Sequence, residues 1–325
     1  MRRVARVAPT ASACHRFRMT ICAIAWLATP AVAVAQAKKN APAPPPAKAA
    51  TTLERVRSSG TLKLGYRIDA PPFSYQEPNK PTGYSIDVCQ HLADMVKSEM
   101  NLPALKVQWV PVTVENQLQA VEQHDIDAMC GSVSVTLERR KQVDFSSPIF
   151  PGGVGAVVRS NSPKQLRNIL SGQAQDYRPT WRAVALNILR EQTFITVPGT
   201  TAEAWLDQRR QELQVQSRTG TVPNYATGIK AVLAGQAGAF FAERAVLLDE
   251  VRRDLSDELM VIDRQFTYEP LALAVPRGDD DFRLFVDRSL SRFYNSPGFA
   301  TTYVKWFGKP DETAKNFFRW NALPE

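Results

Sequence analysis

From Leu53 onward the chain alternates short stretches of strand-like apolar pattern with longer stretches of helical period, and it starts that alternation twice. TLKLGYR (61–67), LKVQWVPV (105–112) and DIDAMCGS (125–132) read as strands, separated by GYSIDVCQHLADM (83–95) and ENQLQAVEQ (115–123). In the first helical stretch Ile86, Cys89, Leu92, Ala93 and Val96 share one face, and in the second Leu118 and Val121 point inward. The order begins again with QTFITVPGTT (192–201), AEAWLDQRRQELQ (202–214), TGIKAVLAGQ (227–236) and AGAFFAE (237–243). Such an order predicts an α/β architecture of mostly parallel strands covered by helices, built as two lobes with a sheet in each. A last strand and two amphipathic helices follow in LALAVPRGDDDFRLFVDRSLSRFYNSPGFATTYVKWFG (271–308). Ligands of open α/β sheets collect beyond the carboxyl ends of strands. That directs attention to Tyr66–Tyr75, Cys130–Arg140, Pro198–Glu203 and Phe241–Arg244.

The amino terminus is of another kind. Arg2, Arg3, Arg6, Arg16 and Arg18 occur without an acidic residue, an apolar run extends from Met19 to Ala35, and Ala33, Ala35 and Ala37 alternate at its end. This is the layout of a cleavable secretory signal peptide over residues 1–37. The run contains a proline and falls short of the about 20 residues a membrane span needs. Residues 38–51 (KKNAPAPPPAKAAT) form a Pro/Ala-rich tether without apolar periodicity. The chain of 325 residues carries a formal charge of +8, but the signal holds five of its 40 basic residues, leaving 35 against 32 acidic ones. No nucleic-acid partner is expected from that balance, and the signal layout implies secretion, with a periplasmic location.

Cys14 and Cys22 lie in the signal segment, so Cys89 and Cys130 remain. An oxidising compartment lets two thiols pair. Both fall on core-facing positions, so the sequence favours two buried free thiols and leaves the disulfide open. His91 and His124 sit near no cluster with ligand spacing, and neither a metal nor another cofactor is expected.

The strongest local feature is MCGSVSVTLERRKQVDFSSPIF (129–150). Ser132, Ser134 and Thr136 alternate at a strand end; short hydroxyls donate to an anion without filling its space. Arg139 follows, able to grip a carboxylate with two parallel hydrogen bonds. The same letters also spell an ordinary capped helix start with a solvated charge run. In PGTTAEAW, Thr200 and Thr201 open a helix whose amino end attracts anions. Glu243 ends a strand, placed for a ligand ammonium or, more blandly, for an ion pair with Arg244. GYRIDAPPFSY offers Arg67 for a second carboxylate, a Pro-Pro turn, and the rings of Phe73 and Tyr75, with a surface arginine stacked on Tyr66 as the alternative.

With these motifs the chain resembles the periplasmic solute-binding proteins for polar amino acids, in particular their glutamate/aspartate branch. The likeness runs from about Leu53 to Phe318 and rests on GYRIDAPPFSY, GYSIDV, CGSVSVTLERRKQVDFSSPIF, VPGTTAEAWL, GQAGAFFAE and KWFGKP. It implies two lobes, each a mixed sheet flanked by helices, joined by two crossover strands. Residues 51–152 and 269–325 would form the first lobe with the carboxyl-terminal helices, and residues 153–268 the second. It further implies that Arg139, with Ser132, Ser134, Thr200 and Thr201, binds a ligand α-carboxylate. Glu243 would take the α-ammonium and Arg67 the side chain, with Phe73 and Tyr225 as further candidate ligand contacts. Three departures are visible. Glu243 stands where the family usually has Asp, Tyr225 where the acidic branch tends to have a histidine, and residues 161–190 are longer than the family pattern.

The expected function is therefore substrate capture for an amino-acid ABC transporter. The ligand is an acidic or polar L-amino acid, with glutamate or aspartate favoured. The expected partners are that amino acid and, transiently, a membrane permease, with the protein itself a monomer. No catalytic residue is assigned, since no nucleophile–base pair occurs. The alternative is a dehydratase-like enzyme on the same scaffold acting on a cyclic acid, with a carboxyl of raised pKa as its general acid. A sensory module docking to another chain is the third class.

Overall fold

In the computed structural model, which describes residues 50–172, 187–254 and 257–324, the strand-like segments pair into two five-stranded sheets and a small three-stranded one. The predicted signal peptide, almost all of the tether and residues 173–186 of the 161–190 stretch lie outside the described residues. In chain order the strands are β1 (Thr61–Arg67), β2 (Asp69–Ala70), β3 (Ser74–Glu77), β4 (Lys80–Thr82), β5 (Lys106–Val112), β6 (Ala128–Ser134), β7 (Val143–Gly152), β8 (Val154–Arg159), β9 (Thr193–Thr196), β10 (Arg218–Thr221), β11 (Ala239–Glu243), β12 (Leu259–Val261) and β13 (Glu269–Pro276).

The first sheet has the order β5-β1-β6-β13-β7 and the second β10-β9-β11-β8-β12. In the first, β5, β1 and β6 are parallel, while β13 runs antiparallel to both β6 and β7. In the second, β10, β9 and β11 are parallel, and β8 is antiparallel to β11 and β12. The sheets are thus mixed, as the family likeness implies, and not mostly parallel, as the alternation alone suggests. The reason is connectivity. β7 carries the chain out of the first lobe and β13 carries it back, so the two must run in opposite directions where they pair. The small β2–β3–β4 sheet, which no periodicity announces, folds the segment after β1 back on itself.

The chain passes from one sheet to the other at Gly152–Val154 and returns into β13, where Glu269 lies opposite Gly152. Both crossings therefore lie side by side. A side chain at Gly153 would meet the Thr267 carbonyl at 2.0 Å, and one at Gly152 would meet Leu271 at 2.6 Å and the Glu243 carboxyl at 2.9 Å. Glycine is required there by close approach. Next to the crossing, the Tyr84 and Tyr294 hydroxyls donate to the Ile149 and Pro148 carbonyls, each at 2.8 Å, pinning β7 to the helices behind it.

Helix Tyr84–Glu99 buries the face read from the sequence: Ile86, Cys89, Leu92, Ala93 and Val96 are all in the core. Cys89 and Cys130 are joined by a disulfide between this helix and β6, against the expectation of two free thiols. Core-facing positions on adjacent elements brought the two Cα atoms to 6.1 Å, within bridging reach. Helices Asp280–Tyr294 and Pro297–Phe307 form as expected, and a third, Glu312–Asn321, follows them. Their Phe293, Tyr294, Phe299, Tyr303, Phe307 and Phe318 form a continuous set of ring contacts. Phe73 belongs to this aromatic core and not to a ligand site. It is fully buried, with ring centroids 5.1 Å from Phe150 and 5.7 Å from Phe307. Its work is packing, about 1.5–3 kcal/mol for a buried ring of this size.

Candidate ligand-binding cleft

One narrow cleft between the sheets gathers all the remaining candidates. Arg67, Ser132, Ser134, Arg139, Thr200, Thr201, Tyr225 and Glu243 line it, joined by Val114, Gln117 and Ala202. The strand-end rule explains why. Arg67 closes β1, Ser132 and Ser134 close β6, Glu243 closes β11, and Thr200 precedes helix Thr201–Leu213 just beyond β9.

Arg139 sits on a short 3₁₀ turn (Arg139–Lys141) that follows β6, and its backbone N–H donates to the Thr136 hydroxyl at 3.1 Å. Thr136 thus engages the first N–H of the turn that carries the arginine. The guanidinium donates from Nη1 to the Ser134 carbonyl at 2.9 Å and from Nη2 to the Gly199 carbonyl, across the cleft, at 3.3 Å. It makes no ion pair among the described residues, and both of these hydrogen-bond partners are carbonyls. Burial lowers its pKa, with Glu269 and Tyr225 opposing that shift.

Opposite it, the Thr200 hydroxyl donates to the Val197 carbonyl at 2.7 Å instead of capping the helix that follows. The first N–H groups of helix Thr201–Leu213 consequently keep no side-chain cap, although Asn224, Asp279, Ser296 and Asp311 cap theirs. An uncapped helix start beside an uncompensated guanidinium is suited to a carboxylate. The Ser134 and Thr201 hydroxyls, 3.4 Å apart, face each other across the same gap.

Glu243 does not pair with Arg244, which instead reaches Asp263 at 3.3 Å. The Glu243 carboxyl accepts from the Gly153 N–H at 2.9 Å and the Ala245 N–H at 3.3 Å. Burial dominates its ionisation and pushes the pKa up to about 8, further raised by nearby Glu269 and held down by the two N–H groups and Arg244. A carboxyl in that condition gains most from a cation brought to it.

Arg67 is buried and does not stack on Tyr66. Its guanidinium carbon lies 5.1 Å from the centre of the Tyr225 ring, and Nη1 reaches the Tyr225 hydroxyl at 3.4 Å. Tyr225 opens helix Tyr225–Leu233, whose start is fixed by the Asn224 side chain accepting from the Thr227 N–H at 2.9 Å. The lobes also touch outside the cleft, where the Arg253 guanidinium lies 4.6 Å from the centre of the Tyr75 ring.

Sequence reasoning missed Val114, Gln117, Ala202 and the partner of Arg67, Asp69. Gln117 was discoverable as a polar residue four positions before Val121 on a buried helical stripe. Its side chain is buried and its amide donates to the Val114 carbonyl at 3.2 Å. No group of His, Cys, Asp and Glu able to hold a metal occurs among the described residues.

Known proteins carry the same arrangement of elements. An L-glutamate/L-aspartate-binding protein of Pseudomonas aeruginosa is 31% identical over 262 residues, 80% of this chain and 80% of the relative. The L-cystine-binding protein TcyJ of Escherichia coli is 26% identical over 257 residues, covering 79% of this chain and 86% of the relative. Among solved structures, an ancestral amino acid-binding protein described as a precursor of cyclohexadienyl dehydratase superposes with a TM-score of 0.64 at 25% identity. It covers 79% of this chain and 100% of its own. The family model of bacterial extracellular solute-binding proteins, family 3, matches residues 62–309, a span that takes in every residue of the cleft and all of both five-stranded sheets except Thr61. The chain belongs to the bacterial extracellular solute-binding proteins, family 3.

Proposed function

We propose that this protein is the periplasmic substrate-binding component of an amino-acid ABC transporter, capturing an acidic or polar L-amino acid, with glutamate or aspartate favoured, by hinged closure of two lobes. The observation that carries this reading is the charge layout of the cleft. A guanidinium without a direct carboxylate partner, on the turn after β6, and a buried carboxyl at the end of β11 share one crevice. Those two groups complement the two charged ends of a zwitterion. The preference for an acidic ligand is supported by the likeness to the glutamate/aspartate-binding relative. Its partners are the amino acid and, transiently, a membrane permease, with the protein acting as a monomer.

Closure needs no chemistry on the ligand. Each lobe supplies part of the contacts, so the closed arrangement binds better and is populated by that difference. Moving from 1:99 to 99:1 takes about 5.5 kcal/mol of differential binding. A few charge-assisted hydrogen bonds at roughly 1.5–3 kcal/mol each supply it. Titration calorimetry across the twenty amino acids tests the reading: one or a few should bind stoichiometrically and without turnover. Heat from none of them refutes it.

The dehydratase-like alternative draws support from one observation, the Glu243 carboxyl held near a pKa of about 8, since a protonated acid at neutral pH can donate a proton. Incubation with cyclic carboxylic acids that can lose water separates the two readings. Product beyond one equivalent of protein establishes catalysis; heat without product establishes capture.

A further inference from the structure

Arg67 is 5% exposed, and its charge is already answered within the protein. Nε and Nη2 donate to Oδ1 and Oδ2 of Asp69, each at 2.9 Å, a two-pronged pair that occupies two of the three guanidinium nitrogens. The third nitrogen, Nη1, is turned to the Tyr225 hydroxyl. Asp69 is itself fixed by the β2–β3 pairing, where it lies opposite Tyr75. Asp69 does not line the cleft, so it reaches a ligand only through Arg67. Arg139 differs on every count, having no carboxylate partner among the described residues.

We propose that Asp69 is a positioning residue that sets the charge preference of the side-chain end of the cleft. By holding Arg67 in a closed ion pair it presents a ligand with one guanidinium edge and one phenol, a corner that is polar but nearly neutral. A side-chain carboxylate cannot take Arg67 with two parallel bonds unless Asp69 gives way, and it also meets the field of the Asp69 charge. A side-chain carboxamide accepts from Nη1 and donates to the Tyr225 oxygen without either penalty. Acidic ligands and their amides are therefore held with comparable affinity in the natural protein, and removing the Asp69 charge turns the cleft toward acidic ligands. This inference rests on the amino-acid reading above.

The test is the affinity ratio for glutamate over glutamine, and for aspartate over asparagine, measured by calorimetry. The proteins are the natural one, Asp69→Asn, Asp69→Glu, Arg67→Met and the double variant Arg67→Met with Asp69→Asn. The natural ratio should lie within about tenfold of unity, and Asp69→Asn should raise it at least about tenfold by removing one charge next to the guanidinium. Asp69→Glu should keep the natural ratio, and Asp69→Asn should change little once Arg67 is Met, which a merely structural role would not produce. An unmoved ratio in folded Asp69→Asn overturns the inference. So does a preference above about a hundredfold for the acidic ligands in the natural protein, a measurement that needs no variant. If none of the four ligands binds, the amino-acid reading falls and takes the inference with it. If they bind, Arg139→Ala abolishes binding and the ratio still fails to move, only the role of Asp69 falls.

Discussion

The two arginines of the cleft have the same side chain and opposite circumstances. Arg67 is paired in a bidentate bond with Asp69, lies across a tyrosine ring, and is held on all its nitrogens by side chains of the protein. Arg139 donates to the carbonyls of Ser134 and Gly199 and forms no ion pair among the described residues, with Glu269 acting on it only from a greater distance. The difference teaches that a buried cation is not by itself an anion site. What matters is whether its charge has been spent inside the fold, because a buried cation already paired offers a newcomer little, whereas an unpaired one gains the full interaction.

This contrast sets an order of expected effects. Arg139→Ala should weaken amino-acid binding by roughly a thousandfold, the loss for truncating one side of a desolvated charge pair at about 2–5 kcal/mol. Calorimetry at high protein concentration reads it, and near-natural affinity would remove Arg139 from the site. Next comes the pH dependence that Glu243 imposes. A ligand ammonium favours the ionised carboxylate, so below a pKa of about 8 binding must expel a proton. Apparent affinity should rise with pH, approaching tenfold per unit from pH 6 toward 8, and level off above it. Glu269, Arg244 and Tyr225 also face this carboxyl, yet Glu243→Gln should flatten the profile while they remain. Arg67→Met should cost only about tenfold, since its charge is shared with Asp69. A loss equal to that of Arg139→Ala would erase the distinction between the two arginines. The smallest effect, a few-fold at most, should come from Tyr225→Phe, which removes one long hydrogen bond and keeps the ring under Arg67.

The fold was legible because it is written in periods. Alternating and helical stripes located β1, β5, β6, β9, β11 and β13 with helices between them, but not β7, β8, β10 or β12, and the strand-end rule then directed attention to the loops that meet at the cleft. What was not legible depends on partners far apart in sequence or on geometry that no period encodes. Six of the ten strand pairs among the described residues are antiparallel, and those of β13 with β6 and β7 follow from a chain that leaves the first lobe through β7 and returns through β13, a consequence of the path and not of composition. Phe73 looked like a ligand contact beside the Pro-Pro turn, but its neighbours Phe150 and Phe307 come from distant elements. Cys89 and Cys130 were rightly placed on inward faces, and inwardness alone could not tell two thiols from one bridge. That bridge spans 41 residues, and in the chain-entropy account it should contribute about 4 kcal/mol, visible as a lower melting temperature after reduction. Asp69 was within reach: two residues beyond Arg67 on an extended chain, the side chains emerge on the same side.

The bond from the Gly153 N–H to Glu243 has one further consequence. An acid that carries a proton accepts weakly, and the same acid stripped of it accepts about twice as strongly. An ammonium bound as proposed should therefore do more than neutralise a charge. It should tighten the grip on the very peptide through which the chain passes between its halves, so occupancy should register as stiffness at that crossing, visible as slowed deuterium uptake at Gly153.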